Sequence, residues 1–114
     1  MTNPPLPVEI DVQSVQALRQ RGEPFLLLDC READEVAAAR IAGSLHIPMR
    51  EIPQRLDELI PRRDERIIVH CHHGGRSLRV THFLRQQGFT RVQNMTGGID
   101  AWSVAVDPEV PRYE

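Results

Sequence analysis

Apolar residues along the chain fall into two alternating patterns. Val12, Val15 and Leu18 recur at helical spacing behind Asp11, a residue type that caps helix starts, and Gly22 marks the stop. Phe25-Leu26-Leu27-Leu28 is instead an unbroken apolar run, as in strands covered on both faces, and it ends abruptly at Asp29-Cys30-Arg31. The alternation continues downstream. Glu32–Arg40, rich in alanine and glutamate, predicts a short helix, and Ile41–Ile47 a turn at Gly43 followed by a short strand before Pro48. Met49, Ile52, Leu56, Leu59 and Ile60 return at helical spacing, with Pro53 near the first turn and Pro61 beyond the end. Arg66–His70 reads as the central strand, and the helix after it runs to Gln87, burying Val80, Phe83 and Leu84 before Gly88. Arg91–Met95 is a further short strand, and Thr96-Gly97-Gly98 opens a last helix through Trp102, a core residue. At the ends, Val8–Ile10 predicts an edge strand. Residues 1–7, with three of the nine prolines, predict an extended arm, and residues 107–114 an irregular tail.

Strands alternating with helices over 114 residues fit one α/β domain with a central, mostly parallel sheet of about five strands. Ligands of such sheets bind at the carboxyl ends of the strands. Asp29-Cys30-Arg31, Cys71–Arg76 and Thr96-Gly97-Gly98 all fall there. Composition then removes function classes. A net charge of −2, with basic residues that are all arginine and scattered, gives no electrostatic footprint for nucleic acid. No apolar run approaches the roughly 18 residues of a membrane span, and Met1-Thr2-Asn3-Pro4-Pro5 lacks the regions of a secretory signal. Two cysteines are too few for a disulfide-rich scaffold, so the expectation is a cytoplasmic domain with a working thiol in a reducing compartment.

That thiol is Cys71. The apolar run Ile67-Ile68-Val69 leads through His70 to Cys71-His72-His73-Gly74-Gly75-Arg76-Ser77, a thiol at a strand end and a helix mouth with a glycine turn between. Backbone N–H groups in such a turn point inward with partial positive charge, which stabilises an anion and lowers a thiol's pKa. Cys71 is therefore expected as a nucleophile in an anion cradle made by His72, His73, Gly74, Gly75, Arg76 and Ser77. Arg76 is expected to attract an anion and pin the loop, and His72 and His73 to line the pocket and tune its charge. His70, still on the strand, is expected to be a hydrogen-bonded interior residue. Asp29 and Arg31 are expected to form a supporting salt bridge. Four adjacent residues, His70 to His73, converge poorly on one tetrahedral ion, so no metal is expected.

The loop resembles that of single-domain rhodaneses, the thiosulfate:cyanide sulfurtransferase family, whose pattern is Cys, two variable residues, Gly, one variable residue, Arg and often Ser. Leu28-Asp29-Cys30-Arg31-Glu32 with Glu35 is similar to the family's Asp-Val-Arg-Glu segment. Ile41-Ala42-Gly43-Ser44-Leu45-His46-Ile47-Pro48 is similar to its Ile-x-Gly-Ala-x-x-Ile-Pro segment, and Met95–Trp102 to its Gly-Gly-x-x-x-Trp segment. Ala39-Arg40 departs from the Gly-His common before the Ile. The tail, Asp107–Tyr113, resembles the end of rhodanese domains fused to adenylyltransferases that activate sulfur carriers.

The resemblance implies a rhodanese-like three-layer sandwich. It implies transfer of sulfane sulfur, without a cofactor, from thiosulfate or a similar anionic donor through a Cys71 persulfide. The acceptor it implies is cyanide or a thiol, including one on thioredoxin or a sulfur-carrier protein. Two alternatives share the fold: a phosphatase or arsenate reductase, and a non-catalytic binding module. The phosphatase loop places five residues between Cys and Arg, whereas His72, His73, Gly74 and Gly75 make four here, shortening the contour by up to about 3.5 Å. A binding module has usually lost the nucleophile, which this chain keeps. Cys30, beside Cys71 at a neighbouring strand end, is either a resolving thiol or a small apolar stand-in for the family's valine, and burial favours the latter.

Overall fold

The apolar runs become strands because both of their faces are covered. In the computed structural model, which describes residues 5–114, the strands are β1 (Glu9–Ile10), β2 (Leu26–Asp29), β3 (Leu45–His46), β4 (Ile67–His70) and β5 (Val92–Met95). They pair in the order β1-β5-β4-β2-β3, each pair parallel. Helices α1 (Val12–Gln20), α2 (Ala33–Ala38), α3 (Gly75–Gln86) and α4 (Gly98–Ala105) complete the fold. Most of the expected arm, residues 1–4, lies outside the described residues.

Alternation along each strand sorts the core into two layers. Leu26, Leu28, Ile67, Val69 and Val92 pack on one side with Val80 and Leu84 of α3 and with Ile52, Leu59 and Phe89. Leu27, Ile68 and Met95 pack on the other with Val12, Val15 and Leu18 of α1 and Ile99 and Trp102 of α4. Burial of a side chain such as Leu28 or Ile68 contributes about 2 kcal/mol, and these two strands have no solvent face to lose it on. The result is the expected three-layer α/β sandwich with a parallel sheet. Asp11 caps α1 as expected, its Oδ1 accepting the N–H of Ser14 at 2.7 Å.

Two expected helices differ. The stretch from Met49 to Ile60 is a series of 3₁₀ turns, Met49–Glu51, Leu56–Glu58 and Ile60–Arg62. Its apolar spacing suits a helix, but Pro53 and Pro61 remove two N–H donors, and i→i+3 bonds such as Ile52 N–H to Met49 O (3.2 Å) take over. Only Ile52 and Leu59 of that stretch are fully buried; Ile60 is exposed. Helix α2 is shorter than Glu32–Arg40 because Arg31 intervenes. Its guanidinium donates to the carbonyls of Glu35 (3.1 Å) and Ala39 (2.8 Å), and Ala39 turns extended and buried. The remaining elements shift by a residue or so at their ends, and α4 runs three residues beyond Trp102.

The tail is irregular, as expected, but not loose. Val110 is buried, its carbonyl accepts the hydroxyl of Ser103, and Arg112 pairs with Asp100 at 2.8 Å.

Candidate active site

Strand β4 delivers Cys71 to the carboxyl edge of the sheet, next to Cys30, since Asp29 and His70 are register partners on β2 and β4. Gly74, at φ +108°, reverses the chain so that α3 starts at Gly75. Other residues rarely adopt that angle. The reversal turns donors onto the sulfur: Cys71 Sγ accepts from the N–H of Gly74 at 3.1 Å, and from the N–H and hydroxyl of Ser77 at 3.4 Å each. Burial pushes the Cys71 pKa up, but the Ser77 hydroxyl and the N–H groups of Ser77, Gly74 and Arg76 outweigh it and bring the thiol below its ordinary value. The residue is only 1% exposed. The sulfur is thus recessed at the floor of the cradle.

The loop is supported from behind by α4, whose first N–H groups bond it: Ile99 to Cys71 O at 2.9 Å and Asp100 to His72 O at 3.2 Å. Gly98, at φ +61°, makes this approach possible, because a Cβ there would overlap both of those carbonyl oxygens. From β5, Asn94 donates through Nδ2 to Gly74 O (3.2 Å) and to Glu9 Oε1 (2.9 Å). With both amide hydrogens committed, its Oδ1 accepts the Ser77 hydroxyl. Ser77 therefore has one proton for two acceptors, Asn94 Oδ1 and Cys71 Sγ.

Arg76 pins the loop as expected, but its charge is matched and not free to draw in a donor. Its two terminal nitrogens donate to the two oxygens of Glu35 at 2.6 and 2.8 Å. The Arg76 guanidinium foremost, and after it the Tyr113 hydroxyl, hold Glu35 down at about 2 against the effect of burial. Asp29 and Arg31 form the expected salt bridge, bidentate at 3.0 and 2.7 Å and fully buried. A buried pair of this kind fixes geometry more than it stabilises. Burial raises the Asp29 pKa, yet the bonds from Arg31 prevail and keep it low.

His70 is interior as expected but only half satisfied. Ser44 gives its hydroxyl hydrogen to Ile41 O (2.8 Å), so its oxygen accepts from His70 Nε2–H at 3.3 Å. That assigns the tautomer and leaves Nδ1 without a partner among the described residues. Burial drives the His70 pKa down to about 4. Cys30 donates its S–H to His70 O at 3.5 Å, and burial, with Cys71 and Asp29 nearby, pushes its thiol far up. Burial thus disfavours the thiolate that a resolving role needs.

His72, half-buried, and His73, exposed, follow Cys71 directly. Their rings stack at 3.8 Å, and His72 stacks on Tyr113 at 4.0 Å. With Asp100, Arg112, Tyr113 and Glu114 they line a cavity of about 730 Å³. Burial, and then the charge of His73, keep His72 below its ordinary pKa, so at neutral pH it is uncharged. His72, His73 and Asp100 each offer a ligand atom, all within 4.8 Å of one another, but both Asp100 oxygens are engaged by Arg112. A larger groove of about 880 Å³, along α2 between Arg19 and Pro111, includes none of residues 71–77.

Sequence reasoning missed Asn94, Gly98 and Tyr113 as site residues and gave Glu35 no role. Two signals were available: Gln93-Asn94, two amides inside a buried strand, and the chain's single tyrosine, set in a tail otherwise read as irregular.

The rhodanese-like domain profile matches residues 11–105. A sulfurtransferase of Allochromatium vinosum is 39% identical over 95 residues, spanning 83% of this chain and 87% of that one. The chloroplastic rhodanese-like/PpiC domain-containing protein 12 of Arabidopsis thaliana is 40% identical over 91 residues, 76% of this chain but only 30% of that protein. Among solved structures, a rhodanese-like domain protein from Staphylococcus aureus superposes with a TM-score of 0.79 at 25% identity, covering 93% of this chain and 98% of its own. The chain belongs to the rhodanese-like domain family.

Proposed function

We propose that Cys71 carries sulfane sulfur from thiosulfate, or a related small anionic donor, to a thiophilic acceptor by double displacement. The observation that carries this reading is the convergence on Cys71 Sγ of two N–H groups and one hydroxyl, at 3.1 to 3.4 Å. They favour the thiolate, so no separate general base is needed. The thiolate attacks the outer sulfur of the donor; the donor's S–S bond breaks and its electron pair leaves with sulfite. The new persulfide is itself an anion, and the same N–H groups face it as it forms. An acceptor thiolate or cyanide then attacks the terminal sulfur, and Cys71 departs as the thiolate it was. Acceptors of this class include small thiols, thioredoxin-like proteins and sulfur carriers.

Intact mass after brief incubation with thiosulfate tests it. A gain of roughly 32 Da, reversed by cyanide and absent in Cys71→Ala, is the expected result. No gain with thiosulfate or another sulfane donor would overturn the reading and send attention to aryl phosphate hydrolysis.

A further inference from the structure

We infer that Tyr113 is a positioning residue for the Cys71 loop, holding it at both ends: stacked on His72 at one, and linked through Glu35 to Arg76 at the other. The inference rests on the reading of Cys71 as the sulfur-carrying thiol. The Tyr113 and His72 ring centroids lie 4.0 Å apart with planes within 12° of parallel. The Tyr113 hydroxyl donates to Glu35 Oε2 at 2.8 Å, the same oxygen that accepts from Arg76 at 2.8 Å. It accepts in turn from Arg31 Nη1 at 3.0 Å. The phenol's one donor and one acceptor role are both filled, which fixes the direction of the ring. Burial raises the Tyr113 pKa to about 12, so the hydrogen bond to Glu35 persists across the neutral range.

The tail can bear this role because it is anchored independently. Val110 is buried under Ser103, and Arg112 binds both oxygens of Asp100, in the first turn of α4. That turn is the one whose N–H groups hold the carbonyls of Cys71 and His72. Tyr113 thus completes a ring of contacts, from α4 through the tail to His72 and to Arg76, enclosing the segment that aims N–H groups at the sulfur. Hydrogen bonds to an anion weaken steeply with misalignment, so loosening this segment lessens the stabilisation of the thiolate.

The experiment follows the rate of iodoacetamide alkylation at Cys71 against pH, by peptide mass, in the full chain. Tyr113→Ala, which loses ring and hydroxyl, should move the profile upward enough to slow alkylation at pH 7 about threefold. Tyr113→Phe keeps the stack and should give a smaller shift in the same direction. Combined with Glu35→Gln, Tyr113→Phe should add less than it does alone, since both cut the same link. Profiles of both tyrosine variants that superpose on wild type would overturn the inference. If Tyr113→Ala does not fold, Tyr113→Phe alone decides, by the same criterion. Alkylation is read without any sulfur donor, so failure of sulfur loading in the wild type would strike the proposed function and leave this readout intact.

Discussion

Cys71 and Cys30 sit side by side at the ends of β4 and β2, each 1% exposed and packed in the same core layer. Their thiols are nevertheless driven in opposite directions. Cys71 faces the N–H groups of Gly74 and Ser77, and its pKa falls; Cys30 faces the carbonyl of His70, and its pKa rises. Burial acts upward on both. What separates them is the backbone that follows: after Cys71 the chain reverses at Gly74 into α3 and presents donors, whereas after Cys30 it goes on through Arg31, whose donors turn to Asp29. Nucleophilicity at this sheet edge is a property of the turn, not of depth.

The largest way to break the comparison is to remove the turn's support. Gly98→Ala puts a Cβ onto the carbonyl oxygens of Cys71 and His72, at a φ that alanine adopts poorly. We expect a loss of about 3 kcal/mol in urea unfolding, together with sulfur loading that is lost even in the folded fraction. A variant with wild-type stability and loading would show that α4 does not brace the loop. Next in size is Ser77→Ala. It takes away one of the donors on Cys71 and leaves Asn94 Oδ1 without its partner. Alkylation of Cys71 at pH 7 should slow about tenfold, the equivalent of one hydrogen bond to a charged group. An unchanged rate would mean that the N–H groups alone set the thiol.

These sites also mark what the sequence could and could not reveal. The cradle was legible because it is local: Cys71, Gly74, Arg76 and Ser77 lie within seven residues, and a glycine turn after an apolar run has few conformations. The two-sided core was legible from Leu26-Leu27-Leu28 and Ile67-Ile68-Val69 for the same reason. Partners distant in sequence were not. Glu35 meets Arg76 across 41 residues and Tyr113 meets Glu35 across 78. Nothing in the spacing of either residue announces the other. The 49–60 stretch failed differently: its apolar spacing fits a helix and a chain of 3₁₀ turns alike, and Pro53 decided between them.

A third test acts on the rung beneath both thiols, where Asp29 and His70 lie side by side. His70 is held at about 4 when folded, below the ordinary 6.5, so between these values the unfolded chain binds the proton that the folded chain refuses. Its share of stability is complete above about pH 6.5 and is lost as pH falls toward about 4. Glu35 continues the loss below, from its ordinary 4.5 toward about 2, as the carboxylate that binds Arg76 is protonated. Urea midpoints should therefore decline from pH 6.5 downward in wild type. In His70→Asn the decline between pH 6.5 and about 4.5 should be shallower, leaving the share of His72, which is also held below its ordinary value, before Glu35 begins to titrate. The same slope in both proteins between pH 6.5 and 4.5 would remove His70 as the cause.

The smallest expected effect is the sharpest for the comparison itself. Cys30→Val replaces a protonated, buried thiol with an apolar side chain of similar size, and should change stability by less than about 1.5 kcal/mol. The His70 carbonyl that loses the S–H contact keeps the backbone N–H of residue 30 at 3.1 Å, so no buried acceptor is orphaned. Sulfur loading and the alkylation profile of Cys71 should match wild type. Under mild oxidant the wild type should likewise show no loss of two hydrogens, because the Cys30 thiol is not ionised to attack its neighbour. Loss of the two hydrogens in wild type, and not in Cys30→Val, would reverse the assignment. It would mean that the carbonyl-facing thiol ionises when Cys71 is oxidised, and that the two strand ends act as a pair.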